Sequence, residues 1–567
     1  MHPLRPFDVE YLTNPSHEDL VDLALAHTPC MFKTGHGNLM KVSRNKARMA
    51  KYTYIIADDS QAENFSHKVM PRAQAQELID YQRSYIESFE KIIEIRGTLG
   101  LGKRAVPTQW LYTLEGANIA GMQSHMTFLV DDDDFEPTFQ VIYTPDIQLH
   151  NTPGGQVILV DLENYRTHIM GPDYFGESKK AALRMLNEHV YRRGGLVMHA
   201  GAKLIEKDGR RMTMTVMGLS GTGKTTTTFS QQGDLTQPIQ DDMVAIWPGG
   251  EVSATEAGCF AKTFGLTYES EPVIYRGTLD PVAWVENTFL DEIGRFDFHK
   301  THMTKFDVHR YEQTLVETGS EPQKIYEFLQ GAVSRDDVLD KSGVLEDGWE
   351  FIDWTQNGRS VIPMSAIKNF ADLSSIPPVT SMGILNRDEG PDAATPGIVR
   401  FTSPEQAAAY FMLGETTKTS ASGKDVGKTR SPFTQPFFPQ KLGLQAERFS
   451  ELVGSMPEVC LWMMNTGYVA GSAISGIKIK IRHSSAMLEA LIADRIVWKL
   501  DPDFGYEVVD IAHPDNRELL RQVPAKILNP SSVLEETLYR SWVDRMKRER
   551  RAFLESYDVS LAIIATL

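Results

Sequence analysis

The stretch Gly218, Leu219, Ser220, Gly221, Thr222, Gly223, Lys224, Thr225 constrains this chain more than any other. It fits the pattern of a phosphate-binding loop, and its setting supports the fit: Met212 to Met217 reads as a strand and Thr225 to Phe229 as the opening of a helix. A tight glycine-rich turn between such elements points successive backbone N–H groups at one spot, where the positive end of the helix adds its field. Lys224 supplies a point charge for terminal phosphates, and the Thr225 hydroxyl suits a magnesium ion. A bland Gly/Thr-rich turn is the alternative, and the flanking strand and helix patterns speak against it.

Composition narrows the class. A chain of 567 residues exceeds what one core usually serves, so two or three domains are expected. A net charge of −17 repels phosphate-rich polymers and anionic surfaces, which argues against a nucleic-acid or membrane partner. Any polyanion site must then be a local basic pocket. Cys30, Cys259 and Cys460 are widely spaced and form no Cys-x-x-Cys pair, which argues against a disulfide framework or thiolate metal site and points to a reducing cytoplasm. No apolar run approaches the ~20 residues needed to span a bilayer, and the start carries no apolar signal core.

Local pattern divides the chain near residue 195. Residues 1–195 alternate a helical stretch, Arg72 to Ile95, with strand-like runs such as Phe139 to Tyr143 and Gly155 to Val160, which predicts an α/β substrate-side domain. Residues 196–567 then hold the phosphate loop and form a nucleotide-binding domain. Within it, 301–348 is polar and reads as an insertion, and 416–432, rich in Ser, Thr, Gly and Lys, as a mobile loop. Asp131 to Asp134 reads as an acidic turn, since the Gly and spaced ligands of a calcium loop are missing. Beyond Pro530 a helical pattern carries Lys547 to Arg551, read as a solvated face.

A phosphate loop alone names no reaction. Downstream, Pro238 to Trp247 is an apolar strand pattern interrupted by Asp241 and Asp242, and carboxylates at a strand end near a phosphate loop suit the metal that neutralises transferring phosphates. Upstream, Tyr174 to Lys180 and His199 add Lys179, Lys180 and an imidazole. The alternation Ile477, Lys478, Ile479, Lys480, Ile481, Arg482 predicts a strand with its bases on one face, either beside a base or as a charged edge.

Together these segments resemble the ATP-dependent phosphoenolpyruvate carboxykinase family. Tyr174 to Lys180 matches its Tyr-x-Gly-Glu-x-Lys-Lys stretch, Met198-His199 its Met-His strand, and Gly218 to Thr226 its loop unchanged. Glu256 to Thr263, with Lys262, resembles the Gly-Cys-Tyr-Ala-Lys-Thr element, and Glu271 to Tyr275 follows it; Asn357 to Ser360, with Arg359, resembles Asn-Thr-Arg; Asn465 to Tyr468 resembles Asn-Thr-Gly-Trp. The resemblance covers about residues 170–490 and implies a bilobal α/β carboxykinase-like fold with a C-terminal mononucleotide-binding domain.

Carried over residue by residue, the resemblance implies that Lys180, His199 and Asp242 hold Mn2+, with Lys180 as a neutral amine and Asp241 supporting the shell. Thr225 would take the Mg2+ of ATP. Lys224 and Arg359 would balance charge on the moving phosphoryl group, with Lys179 as a further charge. Tyr174 and Ser220 would face the small carboxylate substrate, with Arg44 as the nearest substitute for the family's arginine clamp. The loop from Gly218 to Thr226, with Lys262, Glu271, Arg359, Lys478 and Ser484, would line the nucleotide. The implied reaction turns oxaloacetate and ATP into phosphoenolpyruvate, carbon dioxide and ADP, as in gluconeogenesis.

The chain departs from the family at substrate choice. The N-terminal Thr-Gly-Arg-Ser-Pro-Lys-Asp-Lys motif is absent, and Lys41-Val-Ser-Arg44-Asn-Lys46 stands nearest to it. Arg482-His-Ser-Ser replaces Lys-Asp-Thr-Arg. Two other readings therefore stand beside the carboxykinase: a carboxykinase-like ATP-dependent kinase for another small carboxylate or hydroxyl acceptor, and a nucleotide-gated binding protein without turnover.

Overall fold

The computed structural model describes residues 5–45, 50–219, 221–301, 303–317, 321–332, 351–389, 393–418, 427–435, 437–471, 474–532 and 534–567. Ser220, Lys46, the part of the expected insertion from 333 to 348 and the part of the expected mobile loop from 419 to 426 lie outside them. The chain forms two compact α/β units. One comprises Met1–Ala62, His67–Met185 and Glu256–Lys368; the other comprises Glu63–Ser66, Leu186–Thr255 and Asn369–Leu567. The expected division at residue 195 thus falls at 185, and 256–368 belongs with the N-terminal residues. Strand pairing explains this: Trp284–Glu286 lies parallel to Leu39–Lys41, so two distant segments complete one sheet.

The first unit is built on a nine-stranded sheet whose centre, Val106–Tyr112, Phe139–Thr144 and Arg166–Met170, is parallel. Phe139–Thr144 is buried along its whole length, as a strand covered on both faces requires. Helix Arg72–Ile86 places Ala75, Leu78 and Ile79 against Ile56, Met70 and Leu159. It ends at Ile86, short of the expected Ile95. Lys91–Leu99 is instead a strand, because the isoleucines at 92, 93 and 95 pair into the sheet beside Glu10–Thr13 and Val106–Tyr112. Asp131 to Asp134 is the exposed turn expected.

A second sheet of this unit runs Gly258–Lys262, Arg359–Pro363, Trp284–Glu286, Leu39–Lys41, Met31–Lys33. Its register aligns Lys262 with Arg359, Arg359 with Glu286, and Glu286 with Lys41, so four ionisable residues form one rung.

The second unit carries an eight-stranded sheet. Arg210–Gly218, Val379–Asn386 and Cys460–Asn465 are parallel neighbours whose carboxyl ends meet, Gly218 beside Leu385 and Asn386 beside Asn465. Alternate residues serve opposite faces: Met214, Val216 and Trp462 pack into one cluster, Met217, Met382 and Met463 into another. Ligands of such sheets bind beyond the carboxyl ends of the parallel strands, and the loop after Gly218 leaves from there.

Two expectations in this unit need correction. Only Ile477–Lys478 is a strand; Ile481–Ile492 is a helix, because the Lys480 backbone N–H is capped by His483 Nδ1 (3.2 Å) and turns the chain. The run Lys547 to Arg551 does lie on a helix, Glu536–Glu555, but Arg550 is buried while Arg548, Glu549 and Arg551 are exposed. Among the described residues no helix is long and apolar enough to cross a membrane.

Candidate active site

The loop after strand Arg210–Gly218 takes the shape its glycines allow. Gly221 and Gly223 have φ of 84° and 90°, where a Cβ is strained, and Gly223 precedes helix Lys224–Phe229. A Cβ on Gly218 would collide with the Thr222 hydroxyl, which donates to Leu219 O (2.7 Å) and closes the turn. Two neighbouring strand ends hold the loop from outside. Thr466 Oγ1 donates to Thr222 O (2.9 Å), and Arg387 Nη1 donates to Gly221 O (3.3 Å).

Beside the loop lies a cleft of about 460 Å³ lined by Gly221, Thr222, Thr226, Lys478, Ser484 and Leu488 among others. The predicted nucleotide residues Lys478 and Ser484 therefore share one cleft with the loop, although Ser484 stands on a helix rather than a strand. Lys478 lies over the Tyr468 ring, 4.6 Å from its centroid, and its Nζ donates to Thr466 O (3.3 Å). Burial, and then Arg387, hold its amine below the usual lysine value.

The paired aspartates sit where strand Leu235–Gln240 stops and Val244–Ile246 has not begun. The Asp241 backbone N–H donates to Gln240 Oε1 (2.6 Å). Lys224 Nζ donates to Asp242 Oδ1 (2.7 Å), and His199 Nε2 lies 2.9 Å from the same oxygen. His199 Nδ1 faces Phe433 O at 3.1 Å. Burial, followed by the Lys224 charge, lowers the imidazole pKa, which favours the neutral ring. A neutral ring that donates from Nδ1 to Phe433 O turns the Nε2 lone pair on a carboxylate oxygen. A cation shared by Nε2 and Asp242 relieves that clash, so the donors fit a divalent metal. Among the described residues no group of three or more His, Cys, Asp or Glu side chains is placed to hold a metal ion. Lys180, the third Mn2+ ligand expected from the sequence, belongs to the other unit, and Thr225 is expected at the Mg2+ of ATP instead. Changing His199 or Asp242 to Ala is expected to weaken manganese affinity by at least the roughly 10- to 100-fold typical of losing an outer-shell partner, while ATP still binds. Titrating Mn2+ by electron paramagnetic resonance, with and without ATP, checks this; unaltered manganese affinity with lost ATP binding would refute it.

In the first unit the predicted cations are each held by a carboxylate or a ring. Lys179 Nζ donates to Glu256 Oε2 (2.6 Å) and lies over Phe260, and Lys180 pairs with Glu177. Both lysines are on helix Phe175–Tyr191. Arg359 stands over the same Phe260 ring, 5.6 Å from its centroid, in the rung with Lys262. Tyr174 OH donates to Asn357 Oδ1 (3.3 Å), next to the Gly358-Arg359 turn. Glu271 immediately precedes helix Pro272–Thr278.

Arg44 has the most crowded surroundings. Its Nη2 donates to Pro145 O (2.6 Å) and lies 3.7 Å from Glu115 Oε1, and its Nε lies 3.5 Å from Asp173 Oδ2. Asp173 also accepts from the Arg44 and Asn45 backbone N–H groups and stands 3.5 Å from Lys41 Nζ. Burial alone would raise the Asp173 pKa, but Lys41 and Arg44 hold it below its usual value.

Sequence reasoning missed Lys41, Asp173 and Glu286. No local pattern singles them out: Lys41 and Glu286 are brought together by pairing between strands more than 200 positions apart, and Asp173 reaches Arg44 and Asn45 from a loop 129 and 128 positions away. Glu286 is fully buried, accepts from the Phe175 backbone N–H (3.2 Å), and leaves Oε2 without a partner among the described residues. Burial is the main force raising its pKa from 4.5 to about 8. The unfolded carboxyl ionises near 4.5 and the folded one near 8, so its contribution to stability is full below 4.5 and lost as pH rises through 8. The loss is on the order of 3 to 5 kcal/mol. Glu286→Gln keeps the acceptor for Phe175 and removes this dependence. Urea midpoints should place the variant above the parent at pH 8.5 and near it at pH 4.5. Parallel pH profiles for the two proteins would refute the assignment.

A family model described as phosphoenolpyruvate carboxykinase matches residues 9–327 and 320–515. Among curated relatives, the phosphoenolpyruvate carboxykinase (ATP) of Rhizobium rhizogenes is 28% identical over 385 residues, which is 66% of this chain and 60% of that protein. The protein of the same name from Aeropyrum pernix is 27% identical over 410 residues, 70% of this chain and 69% of the relative. That of Geobacillus thermodenitrificans is 24% identical over 535 residues, 91% and 87%.

Proposed function

From the premise that the chain belongs to the ATP-dependent phosphoenolpyruvate carboxykinase family, we propose that it converts oxaloacetate and ATP to phosphoenolpyruvate, carbon dioxide and ADP. The observation that carries this reading is the loop at the carboxyl end of strand Arg210–Gly218, with Lys224 and His199 both on Asp242 Oδ1. The C–C bond to the departing carboxylate breaks, its electron pair forms the enolate, and the enolate oxygen attacks the γ-phosphorus as the bond to the β-phosphate oxygen breaks. Bound Mn2+ and Mg2+ supply electrophilic stabilisation of the enolate and the phosphates.

The chain's own residues do the positioning. Loop backbone N–H groups and helix Lys224–Phe229 receive the phosphates. Lys224 exchanges its contact with Asp242 for the transferring oxygens, where charge develops. Arg359 and Lys262 of the rung offer further positive charge to the phosphoryl group. His199 and Asp242 hold the metal in this reading, and Tyr174 borders the carboxylate end.

A second reading has one specific observation in its favour. Arg44, the nearest substitute for the missing arginine clamp, already faces Asp173 and Glu115. This suits an acceptor with less negative charge than oxaloacetate, phosphorylated by the same nucleotide machinery. Purified protein with Mn2+, Mg2+ and ATP, assayed for ADP and phosphoenolpyruvate, separates the two. Oxaloacetate-dependent formation of both products is expected; ATP binding with no phosphoenolpyruvate would move the conclusion to the second reading.

A further inference from the structure

Helix Glu536–Glu555 lies beyond residue 515, where the family match ends. Tyr539, Trp542, Val543, Met546 and Leu554 join the large apolar cluster of the second unit. That stripe is sufficient to dock the helix. Arg550 interrupts it with a guanidinium whose desolvation is unfavourable and which docking does not require.

Each of the three guanidinium nitrogens is engaged. Its Nε and Nη2 donate to Glu415 Oε1 (3.0 Å) and Oε2 (2.6 Å), and Nη1 donates to Tyr410 OH (3.1 Å). Glu415 also receives Arg430 Nε (2.8 Å) and Asn386 Nδ2 (3.0 Å). Burial would raise its pKa, but Arg550 and then Arg430 hold the carboxyl far below the usual range and keep it ionised.

From Glu415 two bonded routes reach the phosphate loop. In one, Asn386 is fixed by Glu415; its O accepts from Thr466 N (2.8 Å), and Thr466 Oγ1 donates to Thr222 O (2.9 Å). In the other, Arg387 N donates to Glu415 O (3.4 Å), and Arg387 Nη1 donates to Gly221 O (3.3 Å). Leu219 of the loop also packs beside Gly414, with Cδ1 3.7 Å from where a Cβ would stand.

We propose that Arg550 and Glu415 are positioning residues for the phosphate loop, so that the C-terminal helix sets the loop geometry that receives the nucleotide phosphates. The proposal rests on the nucleotide reading of the loop for its consequence, and on the bonds above for the coupling itself.

The test uses the full chain and two readouts. Amide hydrogen exchange of the loop peptide, without ligand, reports the coupling whether or not nucleotide binds. Calorimetry with ATP and Mg2+ reports the consequence. Arg550→Met should speed exchange at the loop and raise the ATP Kd about tenfold, as expected for directly bonded networks, with Arg550→Lys recovering most of the affinity. Glu415→Gln, closer in shape, keeps the test open if Arg550→Met does not fold, and should act in the same direction. Arg400→Met breaks an ion pair with Glu507 outside these routes and is the control for lost stability alone. Loop exchange and ATP affinity equal to those of the parent, with only Tm lowered, would overturn the proposal. A parent protein that binds no ATP would overturn the nucleotide reading, while loop exchange would still decide the coupling.

Discussion

Lys224→Ala should lower phosphoryl transfer by about 100- to 1000-fold, the usual consequence of deleting one preorganised group aimed at charge that develops in the transition state. Lys224 Nζ rests on Asp242 Oδ1 and O, 2.7 and 3.2 Å away, beside His199. Its ammonium is therefore held at the mouth of the loop before any phosphate arrives. Loss of the side chain leaves the loop turn intact, because Thr222, Thr466 and Arg387 hold it through bonds that do not involve Lys224. The fall should appear in kcat more than in ATP affinity, with near-parental Tm. Turnover equal to the parent would remove Lys224 from the chemistry and, with it, the phosphoryl-transfer assignment of the loop.

That loop was legible in the sequence because everything that shapes it is local. An apolar strand, glycines at the two positive-φ positions and a helix start lie within twenty residues of one another. Asp242 and His199 were legible for a related reason, since each sits on or just beyond a strand that neighbours the loop. The misread segments depend on distant partners. Ile477 to Arg482 alternates like a strand, yet His483 caps Lys480 and starts a helix whose residues Met487 and Leu488 are buried in the core. Lys547 to Arg551 has the composition of a solvated face, but Glu415, 135 positions earlier, draws Arg550 inside. The rung of Lys41, Glu286, Arg359 and Lys262 was legible only at its family-matching end. Nothing local in Lys41 announces that strand Leu39–Lys41 pairs with Trp284–Glu286. Periodicity shows which face a side chain takes; it does not show which strand will lie next to it.

The same limit governs substrate choice, where Arg44→Ala carries the second large expected effect. Arg44 is three-quarters buried at its side chain, with Nη2 on Pro145 O and Nε near Asp173, but Nη1 has no partner among the described residues. One edge of the guanidinium fork thus remains for a ligand. Asp173 fixes the other edge while also taking the Arg44 and Asn45 backbone N–H groups, which orients the side chain without consuming all its donors. A carboxylate bound there loses about 2 to 4 kcal/mol when the guanidinium is deleted, so KM for the carboxylate substrate should rise roughly 30- to 1000-fold. The KM for ATP should stay within about threefold, because the bonds that shape the loop come from Thr222, Thr466 and Arg387 and none involves Arg44. Steady-state kinetics with each substrate varied in turn measures both. A change in oxaloacetate KM smaller than about threefold would mean that Arg44 serves Asp173, Glu115 and Pro145 rather than a ligand. Glu115 then becomes informative: burial, followed by Asp146, raises its pKa to about 7, so it is part-protonated near neutrality and offers a hydroxyl acceptor a hydrogen-bond partner that an oxaloacetate site has no use for. In that outcome Glu115→Gln should depress turnover of the true acceptor and flatten its pH profile around 7, whereas a structural Glu115 would leave the profile unchanged.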